Sequence, residues 1–538
     1  MAYLRIEKKK SGSYMRIVES FRKNGKPMNR TLYSLGKVED YTPGQLESIA
    51  KKLLEAAGMV LEDVIPQHFA EVERLNYGYA LVIKKLWKIF DMDRLVRLLT
   101  RKKKVKFDWI NVLQLMIAER ISDPVSKRQN YYHREEYLGF NKNIGLQHLY
   151  RTLDILSDGQ EHIKEHMFET QQNLFTQKLD VVFYDVTTLY FDSQKEEEGN
   201  LRQKGYSKDG KAHKTQVVLG LLVDKLQSPV TYNIYKGNTY EGKTMTKALS
   251  QLQQRYPIDK MIVVADSAMI DKDNRDYMVE NGFDYILGER LRNLSADIKE
   301  YLINKDNHRP VSEDIAIEQL SYTETEYNGR RIICTWSAKR AKKDAMEREK
   351  LLKKAAEWIN NPSKYKQIKK RGAGRFVTTD EQGYALSFNY ETIEKDKRYD
   401  GFKAIATTTD LSVQEILEKY GNLYRVEHSF RTLKSQLEIR PVFHWTNKRI
   451  EGHIAMCFIA YAFLNYLRNT TKMQNKEIIK TLDMMQMSEI REDEKNEPVY
   501  MRSKITEEQQ QIAKALKMTL PHNVLSQKAV YQLFNQKV

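Results

Sequence analysis

The sequence predicts a mixed α/β fold built around one sheet, and two observations support that prediction. Amphipathic helical stretches fill the chain up to about residue 178, and runs of β-branched and aromatic residues replace them from Leu179 onward. Strand-like and helical segments then follow in the order β-β-β-α-β-α-β. Segments in such an order pack as a sheet with helices against it. This succession is typical of an RNase H-like core, whose first part we place at residues 179–288.

Two regions precede this core. Residues 1–40 alternate apolar and polar side chains around a predicted turn at Asn24 and Gly25, which predicts a small antiparallel β unit with a hairpin. Residues 41–178 hold the amphipathic stretches, so we expect a helical DNA-binding region there. The basic patches between these stretches suit contacts to DNA, and the loops of an ordinary helical packing domain account for them equally well.

The core is interrupted and then resumes. Residues 289–400 combine strand-like segments, a charged helix and a Gly-Arg segment, which predicts an α+β insertion with its own fold. The second part of the core follows at residues 401–470, and residues 471–538 are expected to form a helical tail. Residues 402–408 (FKAIATT) predict one more strand. The sequence leaves open whether this strand ends the insertion or rejoins the core sheet.

The composition favours a polyanionic partner, nucleic acid first. The 538 residues carry a formal net charge of +17, and the pI is near 9.3. An anionic membrane surface is the alternative, but no apolar run reaches the roughly 18 residues of a membrane span. The most apolar segment, residues 454–467, is typical of a buried helix. Two distant cysteines argue against a disulfide framework, and the start lacks a signal peptide, so the expected location is the cytoplasm.

Residues 420–441 predict a helix with two stripes. Apolar residues recur at steps of three and four and form a buried face, namely Leu423, Val426, Phe430, Leu433 and Leu437. A polar stripe runs beside it and comprises Tyr420, Glu427, Arg431, Lys434 and Glu438. We expect this helix to end at Arg440, since proline disfavours helix in the residue before it. Taken alone, the pattern favours an ordinary surface helix with ion pairs along one side.

Three acidic residues give this helix a chemical role. Asp185 lies in the middle of the apolar strand DVVFYDVTTLYF, where a carboxylate is costly unless it is paired or binds a metal. Asp266 ends the strand KMIVVAD, and Glu427 lies on the later helix. Mg²⁺ prefers oxygen ligands and keeps several waters, so a few carboxylates suffice. The three residues together predict a two-metal site for phosphodiester chemistry.

The chain resembles the DDE transposases of bacterial insertion sequences, specifically the 1634-type branch of the IS-four superfamily. That superfamily carries a Tyr-Arg-Glu-Lys signature, which matches here at Tyr420, Glu427 and Lys434. Leu423 stands at the position of the arginine, and Arg425 is the nearest cation before the glutamate. FYDVTT and VVADSAM match the two aspartate segments, and RPVFHW and RIEGHIA also resemble this branch.

The resemblance implies a transposase that binds terminal inverted repeats and catalyses metal-dependent DNA strand cleavage and strand transfer. Two ions, Mg²⁺ or Mn²⁺, would be held by the catalytic residues Asp185, Asp266 and Glu427. The implied DNA contacts are Lys434, Tyr420, Arg431 and Arg425. Trp336 is a candidate for stacking on a flipped base, although a core tryptophan is the more ordinary interpretation. The implied partners are double-stranded DNA and a second copy of the chain, in a nucleoid-associated bacterial protein that does not contact a membrane.

Two other functions fit the same residues. A nuclease with an RNase H-like core would cut DNA without joining strands, and it would use the same metal ions. A catalytically inactive, transposase-derived DNA-binding protein predicts a broken acidic triad, whereas all three acidic positions are intact. RNA binding has no support from an aromatic RNP-like strand motif. His444 and His453 lack the neighbouring ligands of a zinc site, so we interpret both as structural or close to DNA.

Overall fold

A computed structural model describes residues 2–9, 11–23, 26–58, 70–101, 103–175, 179–196, 199–207, 210–211, 213–255, 261–267, 271–362, 368–491 and 497–534. The predicted turn at Asn24 and Gly25 lies outside these residues. The chain divides into two units. The first comprises Met1–Glu73 and Glu489–Val499, and the second comprises Arg74–Ser488 and Tyr500–Val538.

The first unit contains an antiparallel sheet followed by a helix. Its strands β1, β2 and β3 lie in that order and span Ala2–Lys9, Gly12–Lys23 and Lys26–Lys37. Met15 and Val18 on the central strand are buried. Helix α1 (Pro43–Ala56) begins after Thr42, whose hydroxyl oxygen accepts a hydrogen bond from the Gln45 backbone N–H. This cap satisfies one of the backbone groups that the first turn of a helix leaves unpaired.

A layer of helices opens the second unit, after the short strand β4 (Ala70–Asn76). The helices are α2 (Gly78–Ile89), α3 (Met92–Thr100), α4 (Trp109–Ser122), α5 (Lys127–His133), α6 (Leu146–Asp158) and α7 (Gln160–Phe175). Helix α4 is buried along almost its whole length. It therefore lies inside the helical layer rather than on its surface.

The sheet begins with strands that are nearly fully buried. The elements are β5 (Val181–Tyr190), β6 (Gln216–Val223), β7 (Pro229–Lys236), α8 (Met245–Arg255), β8 (Met261–Ala265), α9 (Lys272–Glu280) and β9 (Phe283–Glu289). Strand β5 pairs antiparallel with β6 and parallel with β8, which pairs parallel with β9. Every residue of β5 is buried except Asp185 and Tyr190, which are half-buried. This stretch is the α/β alternation that the sequence predicts.

The next segment contributes to the same sheet. It contains α10 (Ala296–Ile303), β10 (Arg309–Pro310), β11 (Leu320–Tyr327), β12 (Arg330–Ser337), α11 (Ala338–Asn360), β13 (Val377–Thr379), β14 (Ala385–Phe388), α12 (Tyr390–Lys397) and β15 (Phe402–Thr407). Strand β15 pairs with β9 on one side and with β12 on the other. The described sheet therefore has nine strands in the order β10-β11-β12-β15-β9-β8-β5-β6-β7.

This pairing differs from the predicted division at residues 289–400. Strands β10, β11 and β12 lie in the segment assigned to an insertion, yet they extend the central sheet through β15. The strand of residues 402–408, whose place the sequence left open, lies inside that sheet. Helix α11 and the β13–β14 hairpin pack separately around a small core of Ala355, Ala373, Val377 and Ala385.

Three helices follow the last sheet strand, namely α13 (Val413–Gly421), α14 (Tyr424–Ser435) and α15 (Asn447–Thr471). The prediction of one helix over residues 420–441 is therefore wrong in its limits. The structure divides it after Gly421 and ends the second piece at Ser435. Beyond Ser435 the chain turns back instead of extending the helix, because Leu437 and Ile439 bury their side chains in the core.

Helix α15 is a buried core helix. A Cβ atom at Gly452 would overlap the backbone carbonyl of Leu153, so only glycine permits this close approach of α15 to α6. Among the described residues, α15 is the one helix long and apolar enough to cross a membrane, and 89% of its apolar window is buried inside the protein. It contains residues 454–467, which the sequence predicts as a buried helix.

The C-terminal part combines helices with short strands. Its elements are α16 (Asn475–Asp483), β16 (Gln486–Arg491), β17 (Val499–Arg502), α17 (Glu507–Ala515), β18 (Val524–Ser526) and α18 (Gln527–Phe534). The strands form a sheet in the order β18-β17-β16-β4. The predicted tail is therefore not purely helical. The sequence did not predict its strands, because strands of three to six residues are too short to show a clear period-two pattern.

Candidate active site

Asp185 and Asp266 lie side by side on parallel strands. Strands β5 and β8 pair with Tyr184 opposite Ala265, so the two aspartates occupy the next pair of positions. The Oδ1 atom of Asp185 accepts a hydrogen bond from the Val186 backbone N–H at 2.7 Å, and Asp266 makes the same contact with the residue after it at 2.7 Å. Adjacent strands are about 4.8 Å apart. The two aspartates are therefore neighbours on adjacent inner strands of the sheet.

Glu427 lies in the first turn of α14 and is exposed. The opposite face of this helix is buried and carries Val426, Phe430 and Leu433. Helix α14 contacts β5 and β6, and its buried residues share one core with Phe183 and Leu189 of β5. Because side chains alternate along a strand, Asp185 points to that same face of β5. The helix therefore carries Glu427 over the face of the sheet from which Asp185 projects.

Tyr420 connects α13 to Asp266. Its side chain is buried, and its hydroxyl group lies close to the Asp266 carboxylate. Burial raises the pKa of Tyr420, and the negative charge of Asp266 raises it further. Gly288 of β9 lies directly below, since a Cβ atom there would overlap the Tyr420 hydroxyl and come within 3.4 Å of Asp266 Oδ1. The tyrosine therefore stays protonated beside the aspartate.

Lys403 brings a positive charge to the same carboxylates. It lies on β15, with its Nζ atom 4.2 Å from the centroid of the Tyr420 ring. Burial lowers the pKa of Lys403, as does the neighbouring Arg340, while the carboxylates of Asp266 and Glu427 act in the opposite direction. One lysine thus interacts with two of the three predicted acidic residues. Sequence reasoning missed Lys403, although a lysine inside the apolar strand FKAIAT was a signal.

A cavity of about 630 Å³ opens beside Asp266 and Tyr420. Its cationic lining comprises Arg290, Arg292, Arg340, Arg348, Arg375 and Lys403. Acidic partners balance part of this charge, since Asp396 pairs with Arg292 at 2.7 Å and Asp400 pairs with Arg348. The carboxylates of Asp266, Glu289, Asp344 and Glu347 also line the cavity, so its six cationic side chains face six carboxylates.

The predicted DNA contacts on the signature helices differ in accessibility. Arg431 is exposed, and Lys434 is half-buried two helical turns after Glu427. The guanidinium of Arg425 donates a hydrogen bond to the carbonyl oxygen of Lys225. Tyr420 is buried against Asp266 instead of facing solvent.

Leu423 occupies the position of the missing signature arginine. It is buried in the main core at the start of α14. A charged side chain at this position would have to leave the core or be buried, and burial of an unpaired charge is costly. The cations near the carboxylates instead come from β15 and α11, as Lys403 and Arg340.

Trp336 lies on β12 within the central sheet and is half-buried. Its indole N–H donates a hydrogen bond to the Asp400 carbonyl oxygen at 3.0 Å. The Nζ atom of Lys305 lies 3.4 Å from its ring centroid. One face and the polar edge of this tryptophan are therefore engaged within the protein.

His444 and His453 belong to the buried core. Their rings lie 5.3 Å apart, and an Nε2 atom of His453 is 3.2 Å from the Ile439 carbonyl oxygen. Burial, together with the nearby positive charges of Lys127 and Arg120, lowers the pKa of His444 to about 3. Burial also lowers the pKa of His453 well below its usual range. Both rings are therefore neutral and structural.

The donor chemistry of the acidic residues fits a hard cation. Carboxylate oxygens are the ligands that Mg²⁺ and Mn²⁺ prefer. Within the ranges that the structure describes, no three His, Cys, Asp or Glu side chains are close enough together to form a ready ligand set. The strand register places Asp185 beside Asp266, and the positive charge of Lys403 interacts with the carboxylates of both Asp266 and Glu427.

Two family models match the sequence. The model described as "IS1634 family transposase, N-terminal domain" matches residues 4–59. The model described as "Transposase DDE domain" matches residues 176–337 and 344–463, which make up more than half of the chain. No curated protein matches the chain.

Two solved structures are similar at a low level. The synaptic complex of piggyBac transposase with hairpin DNA is 9% identical with a TM-score of 0.38, and the match covers 76% of this chain and 78% of that one. The Mos1 transposase paired-end complex with the left transposon end is 14% identical with a TM-score of 0.15, over 34% of this chain and 59% of that one. The family matches therefore carry the assignment: this chain belongs to the DDE transposases, in the branch of the IS1634 family.

Proposed function

We propose that this transposase binds the terminal inverted repeats of an insertion sequence, cleaves a DNA strand at each end and joins the freed 3′-hydroxyl to target DNA. The observation that carries the proposal is the pairing of Asp185 with Asp266 on parallel strands, with Tyr420 and Lys403 against Asp266. Glu427 completes the acidic set from α14.

Asp185, Asp266 and Glu427 would hold two divalent ions, Mg²⁺ or Mn²⁺. Bound ions of this kind supply an activated attacking oxygen and stabilise the leaving oxygen of a phosphodiester. The protonated hydroxyl of Tyr420, which lies close to Asp266, would orient this carboxylate. Lys403 and Arg340 place positive charge where the phosphate would approach that carboxylate. The net charge of +17 supports attraction of the DNA as a whole.

We further propose that strands β5 to β9, with β15 and α14, form an RNase H-like core. Three antiparallel strands followed by two parallel ones support this proposal. The proposed organisation retains the β unit at 1–40, the helical DNA-binding region at 41–178, core segments at 179–288 and 401–470, and the tail at 471–538. The inserted segment at 289–400 contributes its strands β10 to β12 to the sheet and keeps α11, β13 and β14 as a separate subdomain.

The full chain with supercoiled plasmid tests this function. The plasmid carries the matched inverted repeats found in the DNA that flanks the gene. We expect strand breaks at both repeats and joined products in a target plasmid, and we expect EDTA to abolish both. Breaks without joined products would replace the proposal with the nuclease, and binding without breaks would replace it with the inactive binding protein. The mass of the cleaving complex gives the number of protein copies. We propose that two copies hold two transposon ends, and that the protein acts on nucleoid DNA in the cytoplasm.

Lys434→Ala is expected to weaken binding to the transposon ends. Lys434 lies seven residues after Glu427, on the same face of α14, so a strand that reaches Glu427 passes close to its ammonium group. Loss of one phosphate contact reduces the slope of log K against log salt by about 1. Fluorescence anisotropy over a salt series measures this slope. Lys476→Ala, at an exposed lysine of α16, is the control. Equal slopes for both variants would contradict a phosphate contact at Lys434.

A further inference from the structure

Two large aromatic side chains are exposed after α14. Phe443 is 58% exposed and Trp445 is 59% exposed. All five tryptophans lie in the described ranges, and Trp445 is the one with most of its surface in solvent. Exposed apolar surface of this kind marks an interaction site when polar groups surround it. The surroundings of Trp445 therefore decide what it binds.

Cations surround these aromatic residues. The Arg202 guanidinium lies 4.6 Å from the centroid of the Trp445 ring. Nearby, the ring of Tyr190 has three cations around it, with Lys211 Nζ at 3.6 Å, Arg440 Cζ at 5.3 Å and Lys214 Nζ at 5.5 Å from its centroid. Asp192 pairs with Lys214, so the local charge stays positive.

Backbone contacts join these residues into one surface, which we call the Tyr190–Trp445 surface. It comprises Tyr190, Lys211, Lys214, Arg440, Phe443 and Trp445, and the buried guanidinium of Arg202 lies beneath Trp445. The Val442 backbone N–H donates a hydrogen bond to the Tyr190 carbonyl oxygen at 3.1 Å. Asn447, at the start of α15, accepts a hydrogen bond from the backbone N–H of Leu201 at 3.1 Å. The end of β5, the loop at 201 and the segment before α15 are thereby held together.

The surface lies at the end of the strand that carries Asp185. Tyr190 is five residues further along β5, which is roughly 17 Å at the usual rise of a strand. A stacked DNA strand rises about 3.4 Å per phosphate. Side chains alternate along a strand, so Tyr190 projects from the face of β5 opposite to Asp185, and a DNA strand that leaves Asp185 reaches the surface by passing around the end of β5 over a few nucleotides.

We propose that the Tyr190–Trp445 surface binds unpaired nucleotides of the DNA strand that extends from the cleavage site. Bases stack on Trp445 and Phe443, and phosphates contact Lys211 and Arg440. Proteins that hold single strands combine these two features, aromatic platforms and a basic path. The inference rests on the proposed function, because it places this strand relative to Asp185. It differs from the candidate stacking residue Trp336, which is half-buried and donates its N–H within the protein, whereas Trp445 has more than half of its surface in solvent.

Tryptophan fluorescence of the full chain tests the proposal directly. The probe is a single-stranded DNA oligonucleotide, of about 12 nucleotides to match the usual site size. We expect it to quench the emission of the wild-type protein, and we expect Trp445→Phe to lose most of that quenching while it still binds. Trp445→Ala should lower the affinity about tenfold, since it removes a stacking platform. Tyr531→Ala, at a 73% exposed aromatic residue of α18, should leave affinity and quenching unchanged.

The overturning results are equally specific. Undiminished quenching in Trp445→Phe, or wild-type affinity in Trp445→Ala, would refute the surface. Cleavage and joining of plasmid DNA, measured in parallel, separate this inference from the proposed function. If the wild-type protein cleaves and joins DNA and Trp445→Ala binds single strands normally, only the role of the Tyr190–Trp445 surface is refuted. A wild-type protein that binds single strands through Trp445 but neither cleaves nor joins refutes the proposed function.

Discussion

Asp185→Asn is expected to abolish cleavage of DNA that carries the transposon ends while it leaves binding to that DNA almost unchanged. Asparagine keeps the volume of the side chain and an oxygen that accepts the Val186 N–H, so the middle of β5 keeps its local contact. It removes the negative charge that would hold a divalent ion beside Asp266. Metal ions contribute several kcal/mol to such a transition state, so the cleavage rate should fall about a thousandfold or more.

Single-turnover cleavage in Mg²⁺ and binding in EDTA measure the two properties separately. Asp180→Asn is the matched control, because Asp180 is an exposed carboxylate just before β5 that pairs with Lys225 at 3.7 Å. The control should cleave at the wild-type rate. If Asp185→Asn cleaves as fast as the control, Asp185 does not belong to the catalytic set.

Local signals were enough to single out the two aspartates as candidates. An acidic residue inside an apolar strand, or directly after one, stands out because burial of an unpaired carboxylate is costly. Asp185 and Asp266 each gave that signal, and the observed register places them at neighbouring positions. The order of elements from β5 to β9 follows from the same short-range patterns of apolar residues.

Pairing between strands that are distant in the sequence determines the parts of the candidate site that the sequence did not predict. Lys403 reaches Tyr420 only because β15 lies between β12 and β9 in the sheet. That arrangement depends on contacts between residues that are up to 121 positions apart, as are Ile286 and Thr407, which no local pattern encodes. The end of α14 at Ser435 has a similar cause. Helical periodicity continues to Leu437, but the burial of Leu437 and Ile439 determines where the chain turns.

Gly288→Ala is expected to reduce cleavage about a hundredfold, because displacement of a catalytic group by about 1 Å can cost that much. Gly288 is buried on β9, and a Cβ atom added there would overlap the Tyr420 hydroxyl. The same Cβ atom would lie 3.1 Å from the Ser267 backbone nitrogen and 3.4 Å from Asp266 Oδ1. A buried tyrosine ring has little freedom to move, so the clash should push the Tyr420 hydroxyl and the neighbouring Asp266 carboxylate out of position. Overpacking of this kind costs about 1–3 kcal/mol of stability, so the protein should still fold.

A double substitution separates this clash from a general loss of structure. In Gly288→Ala with Tyr420→Phe, the overlapping hydroxyl is absent and the phenylalanine ring can keep its place. The double variant should therefore cleave as fast as Tyr420→Phe alone, in a single-turnover assay in Mg²⁺. Gly421→Ala is the control, since its Cβ atom would meet open space one residue after Tyr420. Wild-type cleavage by Gly288→Ala would show that Tyr420 does not hold Asp266, and additive losses in the double variant would show that the glycine acts elsewhere.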